Sequence, residues 1–225
     1  MDLGLKGKLA LITAGSRGLG YASAKVLVEE GARVILSSRN KDRLEEAAKK
    51  LRETTGGEVY YHIVDLRVKE SIDGLFNWVK ENFGKLDILV HSTGGPKSGR
   101  FIELEWEDWV EATRLLSLSA VWVGRRAAEL MIPQHWGKII YIASVTIKEP
   151  WDNLALSNIM RLPIAGIIRT LARELKPYGI TFKGVLPSIV LTNHVKQLTE
   201  DRVRRECKTP EQVLNEWTRD IPLKD

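Results

Sequence analysis

Six short apolar runs rich in Val, Ile and Leu recur along the chain: KLALITA, RVILSS, VYYHIVD, LDILVH, KIIYIAS and ITFKGVLP. Runs that are apolar without alternation suit strands covered on both faces, as a parallel sheet requires. Parallel neighbours need a crossover, and amphipathic stretches starting at Gly18, near Asn40 and near Glu70 supply it. In the second of these, Leu44, Ala47, Ala48 and Leu51 share one face, Asn40 is the expected N-cap and Asp42 sits in the first turn. The fold class expected is α/β, a doubly wound parallel sheet in a single domain over residues 1–225.

Composition removes several function classes. A lone Cys207 forms no internal disulfide, and His62, His91, His135 and His194 lack metal-ligand spacing, so no metal is expected. No apolar run reaches the roughly 18 residues that cross a bilayer, and LALITAG runs straight into GSRGLG with no cleavage pattern. There is no N-x-[ST] site, and a reducing, cytoplasmic location is expected. The net charge of +5 is spread among alternating acids and bases, as in KDRLEEAAKKLRE. The basic run RVRRECK has no aromatic residue to stack on a base, so no nucleic-acid partner is expected.

The stretch TAGSRGLG, Thr13 to Gly20, joins the first strand to the first helix. Gly15, Gly18 and Gly20 clear side chains from a tight turn, and a helix start offers free N–H groups and a positive dipole to a pyrophosphate. At the end of the second strand Ser38 carries no charge to repel a 2′-phosphate, while Arg39 and Arg17 can attract one. Asp65 ends the third strand, where a carboxylate can hold a ligand or cap the next helix.

TAGSRGLG resembles the T-G-x-x-x-G-x-G loop of the short-chain dehydrogenase/reductase family, and the resemblance runs from about Lys6 to Thr192. Ala14 stands where the family usually has glycine, and Gly15 is expected to give the turn back its freedom. The resemblance implies a Rossmann fold with Gly15, Ser16, Arg17, Gly18, Leu19 and Gly20 on the cofactor, and Asp65 with Leu66 on the adenine. It also implies Gly94, in HSTGG for the family's N-N-A-G, and Thr192, in VLPSIVLT, near the nicotinamide. Family members that use NAD carry an acid at the position of Ser38, so the cofactor expected is NADP.

KIIYIASV places Ser144 at the family's substrate-facing serine. The segment PIAGIIRTLARELKPYGI resembles the family segment just after its Y-x-x-x-K, and counting back puts Ser157 under the tyrosine and Arg161 under the lysine. Ser144, Ser157 and Arg161 are the expected catalytic residues, and Arg161 is also expected to hold the nicotinamide ribose with its five donors. Ser157 and Arg161 are i and i+4 on one expected helix and face the same way. Ser117 aligns with the family's asparagine. A serine hydroxyl is a poor proton donor. Tyr141 points to the other face of its strand from Ser144, which leaves Glu149, Asp152 or a held water as proton sources. Relatives with a similar S-N-x-x-R pattern are called 3-oxoacyl-carrier-protein reductases, a label that describes the fold and cofactor better than this site.

The function expected is an NADP(H)-dependent oxidoreductase that reduces a carbonyl or oxidises an alcohol on a small-molecule substrate. The alternative is a dinucleotide-binding protein that has lost turnover and acts through ligand-dependent contacts. Residues 193–225 are expected to form a mobile cover over the substrate, and the final helix and seventh strand of relatives are expected to be lacking. The long segments DWVEATRLLSLSAVWVGRRAAEL and LSNIMRLPIAGIIRTLAREL are each expected to be one helix and to assemble a homo-oligomer, dimer or tetramer.

Overall fold

The computed structural model describes residues 2–219. Six strands, β1 (Leu9–Thr13), β2 (Arg33–Ser38), β3 (Val59–Ile63), β4 (Ile88–His91), β5 (Gly137–Ile142) and β6 (Ile180–Val185), lie parallel in the order β3-β2-β1-β4-β5-β6. The order reverses between β1 and β4, and a sheet so wound leaves a crevice outside the carboxyl ends of those two strands. The parallel sheet expected from the apolar runs is present.

Helices α1 (Gly18–Glu29) and α2 (Lys41–Thr55) cover one face of the sheet. Ala24 and Val28 of α1 and Leu44, Ala47, Ala48 and Leu51 of α2 pack there on Ala10, Ile12, Val34 and Leu36. Leu44 and Leu51 are fully buried, each contributing about 1.5–3 kcal/mol relative to exposure. Asn40 caps α2 as expected, its Oδ1 accepting from the Arg43 N–H at 2.8 Å. The other face carries α3 (Lys69–Phe83), α4 (Trp106–Ala112), α5 (Ser119–Met131), α6 (Ala155–Met160) and α7 (Leu162–Glu174). There Ile72, Phe76, Val123, Met131 and Ile164 close over Leu11, Ile35, Leu89 and Tyr141.

Both long helical segments depart from a regular helix. Between α4 and α5 the chain makes a π-helical turn over Thr113–Leu118, which turns Leu116 and Ser117 inward. The second segment breaks at Arg161, and α7 restarts at Leu162 with Pro163 in its first turn, where the missing N–H costs nothing. The first segment stays helical from Trp106 to Met131 with the π turn inside it, and the expectation of one continuous helix is corrected for the second segment. After β6, α8 (Asn193–Glu206) and α9 (Pro210–Thr218) lie over the carboxyl end of the sheet, with Thr192 and Thr209 as their N-caps. The terminal IPLKD, and with it the end of the expected cover, lies outside the described residues.

At the opposite end of the sheet Asp87 is nearly sealed. Its carboxylate accepts from the Leu9 N–H at 2.8 Å and pairs with Lys85 at 2.7 Å, tying the start of β1 to the approach to β4. This anchor leaves the crevice end to carry the site. No helix among the described residues is long and apolar enough to cross a membrane.

Candidate active site

The turn from β1 into α1 forms the floor of the crevice. Ala14 itself takes the left-handed conformation, φ 48°, while Gly15 stays outside that region. The freedom expected of Gly15 is therefore not what makes the turn, and the strain, about 1–2 kcal/mol for a residue with a Cβ, rests on Ala14. Gly18 opens α1 at φ 58°. Gly20 must be bare, because a Cβ there would lie 2.6 Å from the Ala14 carbonyl oxygen. Arg17 precedes the helix in extended conformation with no side-chain cap, and no acid sits in the first turn. The first N–H groups of α1 are thus left open to an anion.

Hydroxyls gather around this floor. Ser38 Oγ at the end of β2 and Thr93 Oγ1 after β4 are both sealed from solvent and without a protein partner. Thr93 carries no signal in the sequence. Arg39 is exposed beside them, as is Gly94 on the loop after β4. Thr192 caps α8, accepting from the Val195 N–H at 3.4 Å, and its methyl lies against Gly18. The loop after β6 therefore meets the glycine turn directly.

Asp65 is already engaged. Arg67 Nε donates to its Oδ1 at 2.9 Å and Nη2 to its Oδ2 at 2.6 Å, and the Arg67 backbone N–H donates to Oδ1 at 3.0 Å. These bonds, the side-chain ones first, hold the Asp65 carboxyl below the usual carboxylate range. Arg67 Nη1 also reaches Glu111 at 2.5 Å. Leu66 beside it is buried.

Across the crevice Thr13 clips β1 to β4. Its hydroxyl donates to the Ser92 carbonyl at 2.6 Å and accepts from the Ser92 N–H at 2.9 Å. His91 Nδ1 lies 3.1 Å from the same hydroxyl, and its Nε2 lies 3.4 Å from Ser119 Oγ. Ser119 already donates to the Leu115 carbonyl at 2.5 Å. With both hydroxyl protons committed, donor counting assigns the imidazole proton to Nδ1, the shorter contact.

Burial, aided by the nearby Arg161 charge, pushes the His91 pKa from 6.5 down to about 3. The folded imidazole stays neutral where the unfolded one takes up a proton. Stability is therefore predicted to fall as pH drops below the ordinary histidine value, by about 1.4 kcal/mol per pH unit from this group. Urea unfolding between about pH 7 and about pH 5 reads the slope, and His91→Asn should flatten it by that amount. Parallel profiles for the two proteins would contradict it.

The second half of the site is built from three chain segments. Ser157 on α6 is 7% exposed, Arg161 at the α6–α7 break 8%, and Thr146, in a tight turn after β5, 3%. Arg161 Nε donates to Ser157 Oγ at 3.3 Å, and Thr146 Oγ1 lies 3.1 Å from the same oxygen. Since Ser157 accepts from the guanidinium, its own proton is free for Thr146 or for a ligand. Ser144, expected beside Ser157 and Arg161 in the site, uses its Oγ to accept from the Thr146 N–H at 3.2 Å. Among the described residues no hydrogen bond joins Ser144 to Ser157. Thr146 was missed because its partner is 11 residues away across a loop.

Ser117 Oγ donates to the Met160 carbonyl at 2.7 Å, fastening the π turn to the end of α6. Asn158 fixes the next loop, its amide donating to the Trp151 carbonyl at 2.8 Å and accepting from the Trp151 N–H at 3.2 Å. Beyond Asn158 opens a cavity of about 730 Å³, with Phe101, Trp151 and Trp217 among its walls and Asp152 at its edge. Arg205 on α8, also in its wall, pairs with Glu103 at 3.2 Å. Tyr141 is buried with its hydroxyl on the Ala120 carbonyl at 3.2 Å, and burial raises its pKa. It has no path to Ser157.

A glycine turn and an open helix N-terminus at the switch point of a parallel sheet define a dinucleotide-binding α/β protein. The profile of the short chain dehydrogenase family matches residues 8–203, and the chain belongs to that family of oxidoreductases. An uncharacterised oxidoreductase of Staphylococcus epidermidis is 31% identical over 188 residues, 84% of this chain and 80% of that protein. The 3-oxoacyl-(acyl-carrier-protein) reductase of Aquifex aeolicus is 26% identical over 224 residues, 96% of this chain and 90% of that one. Among solved structures, L-sorbose reductase from Gluconobacter frateurii complexed with NADPH and L-sorbose matches with a TM-score of 0.91. It is 30% identical, over 98% of this chain and 84% of that one.

Proposed function

We propose that the chain is an NADP(H)-dependent oxidoreductase that reduces a carbonyl or oxidises an alcohol on a small molecule. The observation that carries this reading is the cradle at the switch point: an uncapped α1 behind Gly18 and Gly20, flanked by the sealed, partnerless hydroxyls of Ser38 and Thr93. Sealed hydroxyls without partners are costly unless a ligand completes them, so the residues present fit a dinucleotide. In this reading Gly15, Ser16, Arg17, Gly18, Leu19 and Gly20 hold the pyrophosphate. Ser38 and Arg39 take the 2′-phosphate, and Leu66 and a remaining lone pair of Asp65 face the adenine. Gly94, Thr192 and Arg161 flank the other end. The NADPH in the sorbose reductase complex supports the choice of cofactor.

NADPH supplies a hydride when bound. The chain's own part is to place the carbonyl and support the charge that develops on its oxygen. Ser157 and Arg161, at the positions we assign to the family's tyrosine and lysine, would do this as a hydroxyl donor backed by a guanidinium. Ser144 lines the same side. Ser157 is too weak an acid to give up its proton outright, so water delivers it and turnover is slow. The substrate class stands open between a 3-oxoacyl thioester and smaller carbonyl compounds. The helices after β6 act as the substrate cover. Leu118 and Val121 in and beside α5 and Leu162 on α7 are exposed apolar residues, and we assign them to a homo-oligomer contact.

The lack of a tyrosine beside Ser157 favours one second reading, a dinucleotide-binding protein without turnover. NADPH oxidation followed by absorbance over a panel of ketones and oxo esters separates the two. Slow oxidation with at least one carbonyl compound is expected. Saturable NADPH binding with no oxidation would favour the second reading, and absence of binding would overturn both.

A further inference from the structure

We infer that the cavity of about 730 Å³ between the loops at 98–101 and 151–158 and helices α8 and α9 binds an uncharged ligand with an aromatic body. That this ligand is the substrate rests on the reductase reading, whereas the site itself does not. The volume falls within the range of pockets that enclose a drug-sized molecule, about 300–1,000 Å³. The two loops are laced together, the Gly99 N–H donating to the Asn153 carbonyl at 2.7 Å and the Ala155 N–H to the Gly99 carbonyl at 3.3 Å. The three aromatic walls are anchored as well. Phe101 meets Trp109 edge-on with centroids 5.2 Å apart, and the Arg202 guanidinium lies 5.7 Å from the Trp217 ring. Trp151 is tied at both backbone groups by Asn158. Walls ordered before a ligand arrives offer their ring faces at little entropic cost.

The charges around the cavity are balanced, with three arginines and three carboxylates in its walls. Arg202 pairs with Glu206 at 2.7 Å and with Glu216, Arg205 pairs with Glu103 at 3.2 Å, and Asp201 pairs with Arg204. Arg100 and Asp152 remain, both exposed and opposite in sign. A charged ligand would give up its water for counter-charges that are already paired or still hydrated. An uncharged ring system loses nothing there and gains the aromatic faces. Among the described residues none of Ser144, Ser157 and Arg161 lines the cavity, whereas Ala155 and Asn158 on α6 do. The cavity therefore takes the body of the substrate, and the reacting carbonyl is left to Ser157, which precedes Asn158 in the chain.

Acetylnaphthalene, cyclohexyl methyl ketone and acetylnaphthoate share an acetyl group and differ in aromaticity and charge, which makes them the probes. Calorimetric titration of the full chain should show acetylnaphthalene binding more tightly than either of the others by about tenfold or more, because ring-on-ring contacts add to the buried area at each aromatic wall. Trp151→Ala and Trp217→Ala should each weaken it by about fivefold or more, and Trp217→Phe should keep part of the affinity. Circular dichroism reads whether the variants stay folded. No binding of acetylnaphthalene, equal affinities for the three ketones, or an affinity unmoved in folded Trp151→Ala and Trp217→Ala would overturn the inference, even where NADPH is oxidised with other carbonyl compounds. Tight binding of acetylnaphthalene with no NADPH oxidation on any ketone would instead sink the reductase reading and leave the ligand site standing.

Discussion

Exchanging Ser157 for tyrosine and Arg161 for lysine together should raise the reduction of an uncharged, activated ketone by about 10²–10⁴, the usual worth of a placed general acid. A phenol titrates near 10 and a neighbouring ammonium lowers it further, whereas an aliphatic hydroxyl has no ring over which to spread the charge it would keep. The ring cannot stay where Ser157 Oγ is, 3.1 Å from Thr146. Thr146 and the turn that carries it would have to yield to the ring. Steady-state NADPH oxidation reads the gain, and a folded double variant with no gain would contradict the account. Ser157→Ala provides the control. It should cost little if Ser157 orients the carbonyl without donating a proton, and a collapse of vigorous native activity would instead make Ser157 and Thr146 a working relay.

The second large effect concerns cofactor choice. Ser38→Asp with Arg39→Ala should turn a preference for NADPH into one for NADH, because a carboxylate at the end of β2 repels a 2′-phosphate and accepts from ribose hydroxyls. A charge-assisted contact is worth about 1.5–3 kcal/mol when partly buried. Arg39 is exposed, so its share belongs at or below the lower limit. Most of the reversal should come from position 38, where Ser38 Oγ is sealed and has no protein partner. An unchanged ratio of the two affinities in the double variant would remove Ser38 from the cofactor site.

Much of the fold was legible because it depends on periodicity. The six apolar runs became the six strands, and the face of α2 read from Leu44, Ala47, Ala48 and Leu51 is the buried one. Asn40 was legible for the same local reason, since a cap acts within three residues of itself. What periodicity could not supply was the pairing of hydroxyls across the chain. The Thr13 to Ser92 clip spans 79 residues, and Thr146 meets Ser157 only because the turn after β5 packs on the first turn of α6.

Two local features were misread for different reasons. The glycine at position 15 suggested where the turn would bend, yet the left-handed residue is Ala14, because the backbone geometry there is set by where α1 must start above the sheet. Pro163 did carry a signal for the break at Arg161, and the apolar pattern on both sides outweighed it. That break matters for the site. It leaves Arg161 buried at a helix junction with its guanidinium turned back on Ser157.

The central claim is that the crevice between β1 and β4 is a working NADP(H) site whether or not the chemistry beside it is fast. Fluorescence titration of the parent protein with NADPH and NADH side by side tests it most directly. The account predicts saturable binding of NADPH, tighter than NADH by about tenfold or more. No saturable binding of either nucleotide, or equal binding of the two, would contradict it.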